Sequence, residues 1–216
     1  MSRSGSKIPG MITDDEKVLL KRLTKPGDRV TELGCFLGLS TSCFLEAGAR
    51  VDSYDLFRWE QYMNQAWKRD RSDDPPQVGQ NFLPLTEKFL APYKGSNLHP
   101  VNLATYRGPV FECDILFVDA IKAHYIGENV VPLFYRTAQR YIIDQDFFWN
   151  PSLYAYMWTW YFKMRDYLNP CYVVDSTLVF EVTKPLPLCH LERYTYYDVF
   201  DAMKYFGEIL AVPRTD

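Results

Sequence analysis

The 216-residue sequence has no apolar run near the roughly 18 residues that a membrane-spanning helix needs, so no membrane span is expected. It has no long Lys/Arg run either. Its formal net charge of −3 and pI near 5.7 give no general attraction to a polyanion, so no nucleic-acid partner is expected. The five cysteines, Cys35, Cys43, Cys113, Cys171 and Cys189, are odd in number and include no Cys-x-x-Cys. That spacing suggests neither a disulfide frame nor a zinc site, and reduced thiols in the cytoplasm are the simplest expectation. Residues 1–10 are polar and lack the apolar stretch of a secretory signal. There is no internal repeat and no low-complexity tract.

Hydrophobic residues at 47% and charged residues at 24% suit a folded soluble chain and argue against disorder. The length suits one domain with small appendages: residues 1–12 as a tail, 13–184 as the main domain, 185–216 as a helical extension. Aromatics reach 16%, with 16 Tyr and 5 Trp. Rings supply pocket walls as well as cores. Trp59, Trp149, Tyr154 and Trp158 are candidates for an acceptor pocket, with core packing the simpler reading of each.

Thr13 and Glu16 have the spacing of a capping box, followed by the apolar positions Val18, Leu19, Leu20 and Leu23 and by a Pro26-Gly27 stop. A strand over 28–33, a glycine-spaced turn, a helix over 40–47 and a strand over 50–55 make a β-turn-α-β opening, the signature of a parallel α/β sheet. Helices are expected over 59–71 and 86–93, with an irregular strand over 98–103. The continuous apolar run of 113–119 predicts a strand buried on both faces. A helix interrupted at Gly127 runs to about 139, and a strand follows over 140–144. The best helical periodicity lies in 152–168, where Leu153, Tyr156, Met157, Trp160, Met164 and Leu168 share a face, and Asn169-Pro170 is expected to end it. Two strands, 171–175 and 178–183, and a helix over 196–209 complete the chain.

Three of these strands end on acids: Asp55, Asp119 and Asp144. In an open parallel sheet, ligands bind beyond the carboxyl ends of the strands. The first strand runs into Glu32-Leu33-Gly34-Cys35-Phe36-Leu37-Gly38-Leu39-Ser40, where glycines let a backbone approach a ligand. Phe36 fills the second glycine position of a dinucleotide fingerprint, and no phosphate-binding Gly-Lys-Ser/Thr occurs. Glu32 would repel a diphosphate and suit a cationic ligand. Asp55, 21 residues after Gly34, has the spacing of a carboxylate that accepts from ribose hydroxyls.

Glu32-Leu33-Gly34 through Gly38-Leu39-Ser40 resembles the first motif of class I S-adenosylmethionine-dependent methyltransferases, in the form used by catechol O-methyltransferase and its relatives. The segment from Cys113 through Asp119-Ala120-Ile121-Lys122-Ala123-His124-Tyr125 resembles that family's metal and base segment. Tyr141-Ile142-Ile143-Asp144-Gln145 resembles its Asp-Asn metal pair, with Gln145 where asparagine is usual and Asp146 as the alternative. Val173-Val174-Asp175 before 178–183 resembles its closing hairpin.

The resemblance implies a Rossmann-like fold: a mostly parallel seven-stranded sheet, helices on both faces, and an antiparallel strand near the end. It implies S-adenosylmethionine against Glu32, Gly34, Gly38, Ser40, Asp55 and Asp119. It implies Mg²⁺ on Asp119, Asp144 and Gln145, carboxylate and carbonyl oxygens being hard ligands suited to that ion. Lys122 is the implied general base, with His124 as the alternative, since related sugar and small-molecule enzymes often use histidine there. The expected reaction is methyl transfer to a hydroxyl of a small molecule, a natural-product intermediate among the candidates. The rivals are other chemistry on the same fold, and a non-catalytic assembly module whose aromatic C-terminal segment makes a homo-oligomer contact.

Overall fold

The computed structural model describes residues 8–120, 124–148, 151–187 and 196–211. Seven strands form one sheet in the order β3-β2-β1-β4-β5-β7-β6. They are β1 (Arg29–Leu33), β2 (Arg50–Asp55), β3 (Ser96–Pro100), β4 (Cys113–Val118), β5 (Ala138–Asp144), β6 (Leu168–Val174) and β7 (Thr177–Val182). β1 with β2, β2 with β3, and β4 with β5 pair in parallel. β7 pairs antiparallel to both β5 and β6. The expected seven-stranded, mostly parallel sheet with an antiparallel strand near the end is the fold observed. No described helix is long and apolar enough to cross a membrane.

The chain divides into two compact units, Met1–Asn102 and Leu103–Asp216. In the first, α1 (Asp14–Leu23) starts at the expected capping box: Thr13 Oγ1 accepts from Glu16 N at 3.2 Å, and Glu16 Oε2 accepts from Thr13 N at 2.8 Å. This satisfies two N–H groups that a helix start otherwise leaves unbonded. The helices α2 (Leu39–Glu46), α3 (Met63–Asp70) and α4 (Leu83–Leu90) follow. Expected helix 59–71 begins only at Met63, because Phe57 at φ 51° turns the chain first and Trp59 bonds backbone to backbone with Gln80 and Gly79. The core here is aromatic: Phe36, Phe57, Trp59, Trp67 and Phe82 are all buried, with Trp59 meeting Trp67 and Phe82 edge-on.

In the second unit, α5 (His124–Phe134) passes through a short 3-10 turn (Tyr135–Thr137) directly into β5. The strand therefore opens at Ala138, two residues before the expected start. α6 (Pro151–Lys163) ends five residues short of the expected limit. Leu168, which continues its apolar periodicity, is buried as the first residue of β6 instead. Pro170 consequently lies inside a strand and not at a helix end. It is tolerated because β6 is the outermost strand, where proline's missing N–H costs no ladder bond, and the register shifts between Pro170 and Tyr172.

α7 (Tyr196–Ala211) belongs to this unit's core and packs against α6. Phe206 is buried, with its ring 4.9 Å from Phe147, 5.9 Å from Trp158 and 6.3 Å from Phe180. Removing such a ring leaves a cavity as well as losing burial. Phe206→Ala should destabilise the protein by about 3–5 kcal/mol in urea unfolding, the cost of truncating a core phenylalanine. A change below about 1 kcal/mol would mean that α7 is an appendage.

Candidate functional site

The turn after β1 is built from three left-handed residues in alternation: Gly34 (φ 86°), Phe36 (φ 47°) and Gly38 (φ 88°). Glycine adopts this conformation freely, whereas a phenylalanine there is strained. The Asp55 carboxylate is what holds it. Its Oδ2 accepts from Cys35 N at 2.9 Å and from Phe36 N at 3.0 Å, while Oδ1 accepts from Phe57 N at 2.8 Å. Burial raises the Asp55 carboxyl, and these backbone donors oppose that shift. Gly34 N is fixed separately by the Tyr54 carbonyl at 2.9 Å. The far side of the turn is pinned by Thr86, whose hydroxyl donates to the Phe36 carbonyl at 2.9 Å. Gly38 caps α2, and a Cβ there would lie 2.8 Å from the buried Leu90 side chain, so glycine is required on two counts.

Glu32 is wholly buried, and its carboxylate is surrounded by hydroxyls. Oε1 accepts from Ser40 Oγ at 2.6 Å, and Oε2 from Thr41 Oγ1 at 2.6 Å and Ser53 Oγ at 2.5 Å. The register explains the last bond: Glu32 stands opposite Ser53 in the β1–β2 ladder. Burial pushes this carboxyl up from 4.5 to about 7; the three hydroxyls pull it down and the Asp55 charge pushes it further up. Of the cofactor residues expected from sequence, Glu32 and Ser40 thus meet directly, and Gly34, Gly38 and Asp55 meet through the turn. Ser53, Thr41 and Thr86 were not singled out in the sequence.

In the second unit, Asp119 follows the last residue of β4 and is partly buried. Asp144 ends β5 opposite Val118, and Gln145 N donates to the Val118 carbonyl at 3.0 Å. The Asp144 side chain goes into the core. It has no solvent exposure and lies near the Tyr161 hydroxyl, which is itself 3.3 Å from the Tyr135 hydroxyl. Both phenols are held well above their usual range, by burial first and by the Asp144 charge second. Gln145 is also buried, and its amide donates to Asp146 Oδ1 at 2.9 Å. Lys122 lies outside the described residues; His124 opens α5.

These residues do not fit a hydrated divalent ion in the arrangement expected. Such an ion keeps several waters and needs ligand oxygens that face solvent. The Asp144 oxygens and Gln145 Oε1 are sealed from solvent. Among the described residues, no three His, Cys, Asp or Glu side chains form a metal-holding group. Trp59 and Trp158, considered as pocket walls, are core residues. Trp149 lies outside the described residues, and Tyr154 is placed only as part of α6. Among the described residues, Cys35, Cys43, Cys113 and Cys171 form no disulfide; Cys189 is outside the described residues.

No protein-family model matches the chain. No curated protein sequence matches it. Solved structures do. The O-methyltransferase NovP superposes with a TM-score of 0.61 at 13% identity, over 82% of this chain and 83% of that one. A TehB-like S-adenosylmethionine-dependent methyltransferase from Corynebacterium glutamicum gives 0.51 at 12% identity, over 81% and 90%. The N-methyltransferase NodS from Bradyrhizobium japonicum, in complex with S-adenosylhomocysteine, gives 0.51 at 9% identity, over 79% and 87%.

The Glu32 environment has a measurable consequence. Because its folded-state pKa lies above the unfolded value, the native state binds this proton more readily. Its contribution to stability is full below about pH 4.5 and is lost as the pH rises towards about 7. Glu32→Gln carries no such proton. The melting temperature of this variant should gain on the wild type between pH 5 and pH 8. A constant difference across that range would show that Glu32 titrates as an ordinary carboxylate.

Proposed function

We propose that this chain, which has the fold of the S-adenosylmethionine-dependent methyltransferases, is such an enzyme, and that it transfers the methyl group to a hydroxyl oxygen of a small molecule. The observation that carries this reading is the Asp55-held glycine turn. Two turn N–H groups that would cradle a phosphate are already taken by a protein carboxylate. A diphosphate is therefore poorly served, while a ligand with ribose hydroxyls and a positive charge is matched by the acidic strand end. Gly34 adds no side chain above the turn. Asp119 at the β4 terminus is the further candidate for binding this ligand.

S-adenosylmethionine supplies a methyl carbon on a sulfonium, which departs as a neutral thioether. The protein's part is to bind, align and deprotonate the acceptor. Alignment falls to the rigid turn and to the strand ends. For the proton, the spacing Asp119-x-x-Lys122 supports Lys122 as the base, taking it from the acceptor hydroxyl as the oxygen attacks. His124 is the alternative base.

Calorimetric titration with S-adenosylmethionine should give a Kd in the micromolar range. Asp55→Ala frees the Cys35, Phe36 and Phe57 N–H groups and should weaken that binding at least ten-fold, about 1.4 kcal/mol. Methyl transfer to a panel of phenols and sugars, read as S-adenosylhomocysteine formed, tests the acceptor class. Lys122→Met should lower turnover about 100-fold or more with the cofactor Kd unchanged, the usual size of a general-base contribution. A folded wild type that shows no binding would overturn the enzyme reading in favour of a non-catalytic module.

A further inference from the structure

Three consecutive polar residues, Asp144-Gln145-Asp146, close β5, and the structure sends them to different places. Asp144 has no solvent exposure. Two phenols, Tyr161 from α6 and Tyr135 from the turn before β5, lie close enough for its charge to raise both. Reaching it would require removing the rings around it: Tyr161 lies flat against Phe180 at 4.1 Å, and Tyr135 meets Trp160 at 4.7 Å. Gln145 is 4% exposed and turns its amide to Asp146.

Asp146 differs in each respect. It is partly exposed and in the left-handed region (φ 59°), which aspartate tolerates better than most residues. Its Oδ1 accepts twice, from Gln145 Nε2 and from Ser176 Oγ, both at 2.9 Å. Ser176 sits in the turn between β6 and β7. Two donors from two segments fix the plane of this carboxylate. Among the described residues Oδ2 has no partner, so it keeps its capacity to accept a hydrogen bond.

We infer that β5 contributes one carboxylate to the acceptor side, Asp146, that Asp144 is a core residue, and that the pair of β5 oxygens needed to chelate a divalent ion is not built in this chain. The chemistry Asp146 offers is a fixed, charged hydrogen-bond acceptor for a hydroxyl donor. That the end of β5 faces an acceptor rests on the methyltransferase reading; which acid is presented there does not.

The test is carboxylate footprinting of the wild-type protein with a water-soluble carbodiimide and glycine ethyl ester, with the modified residue assigned by fragmentation mass spectrometry. Asp146 should be labelled in the native protein and Asp144 protected at least ten-fold, with both labelled alike in urea. Native labelling of Asp144 to the extent of Asp146 would overturn the inference. A second measurement uses Mn²⁺ as the probe, read by electron paramagnetic resonance on wild type, Asp144→Asn and Asp146→Asn. Bound Mn²⁺ should be the same in wild type and Asp144→Asn. A stoichiometric site lost in Asp144→Asn would overturn the inference even if that variant's footprint were native. S-adenosylmethionine calorimetry on the same wild-type sample separates the two readings. Absent binding with the expected footprint removes the methyltransferase and leaves the assignment of the acids standing.

Discussion

The first unit depends on where the Asp55 carboxylate points. It faces back over the end of its own strand into the turn after β1, and binds the N–H groups of Cys35, Phe36 and Phe57. Phe36 and Phe57 are both in the left-handed region, at a cost of roughly 1–2 kcal/mol each for a residue with a side chain. Hydrogen bonds to a charged group contribute about 1.5–3 kcal/mol apiece, so three of them outweigh two strained residues. The strain also has a use in packing. With the backbone so turned, both rings enter the buried cluster, where Phe36 lies 5.5 Å from Trp59 and Phe57 lies 5.5 Å from Phe82. One carboxylate thus sets the turn, the exit from β2 and the aromatic core below them.

Each unit also holds a wholly buried acid whose described contacts are hydroxyls. Glu32 has three aliphatic hydroxyls; Asp144 has phenols. An unpaired buried charge is costly, and hydroxyl donors stand in for the water it has lost. For Glu32 the compensation is incomplete, since burial still raises its carboxyl to about 7. Such a group stays near the balance between its two protonation states. In either state it has bonds to share with Ser40 and Thr41 at the start of α2 and with Ser53 on β2. It therefore couples the first turn of the helix to the neighbouring strand, whatever it does for a ligand.

Much of this was legible in the sequence, and the failures have local causes. The strands, the capping box and the glycine turn announce themselves through residues that few other conformations would accept. The Glu32–Ser53 bond needs the strand register, which no local pattern carries. The end of α6 was misread because Leu168 keeps helical phase with Met157 and Met164 while being buried by a strand. The acids at the end of β5 are hard to tell apart for a related reason. Ile142, Ile143, Asp144 and Gln145 are all buried, so this strand shows no alternation between an inner and an outer side. Without that alternation, the sequence does not say which of two acids turns inward.

That choice between Asp144 and Asp146 follows from sterics. α6 places Trp160 and Tyr161 side by side, their rings 5.2 Å apart and edge-on, and Tyr161 is also stacked on Phe180 of β7. A ring this confined cannot swing to solvent, so its hydroxyl finds its partners inside, with the Tyr135 hydroxyl at 3.3 Å and the acid at the end of β5 beside it. Once Asp144 is held there, the chain leaves the strand through a left-handed residue at position 146, and Asp146 is carried to the turn that contains Ser176. The resemblance to a metal-dependent family concerns residue types and order. The aromatic packing of α6 against β7 decides which of those residues is sealed in the core, and it is carried by residues outside the motifs.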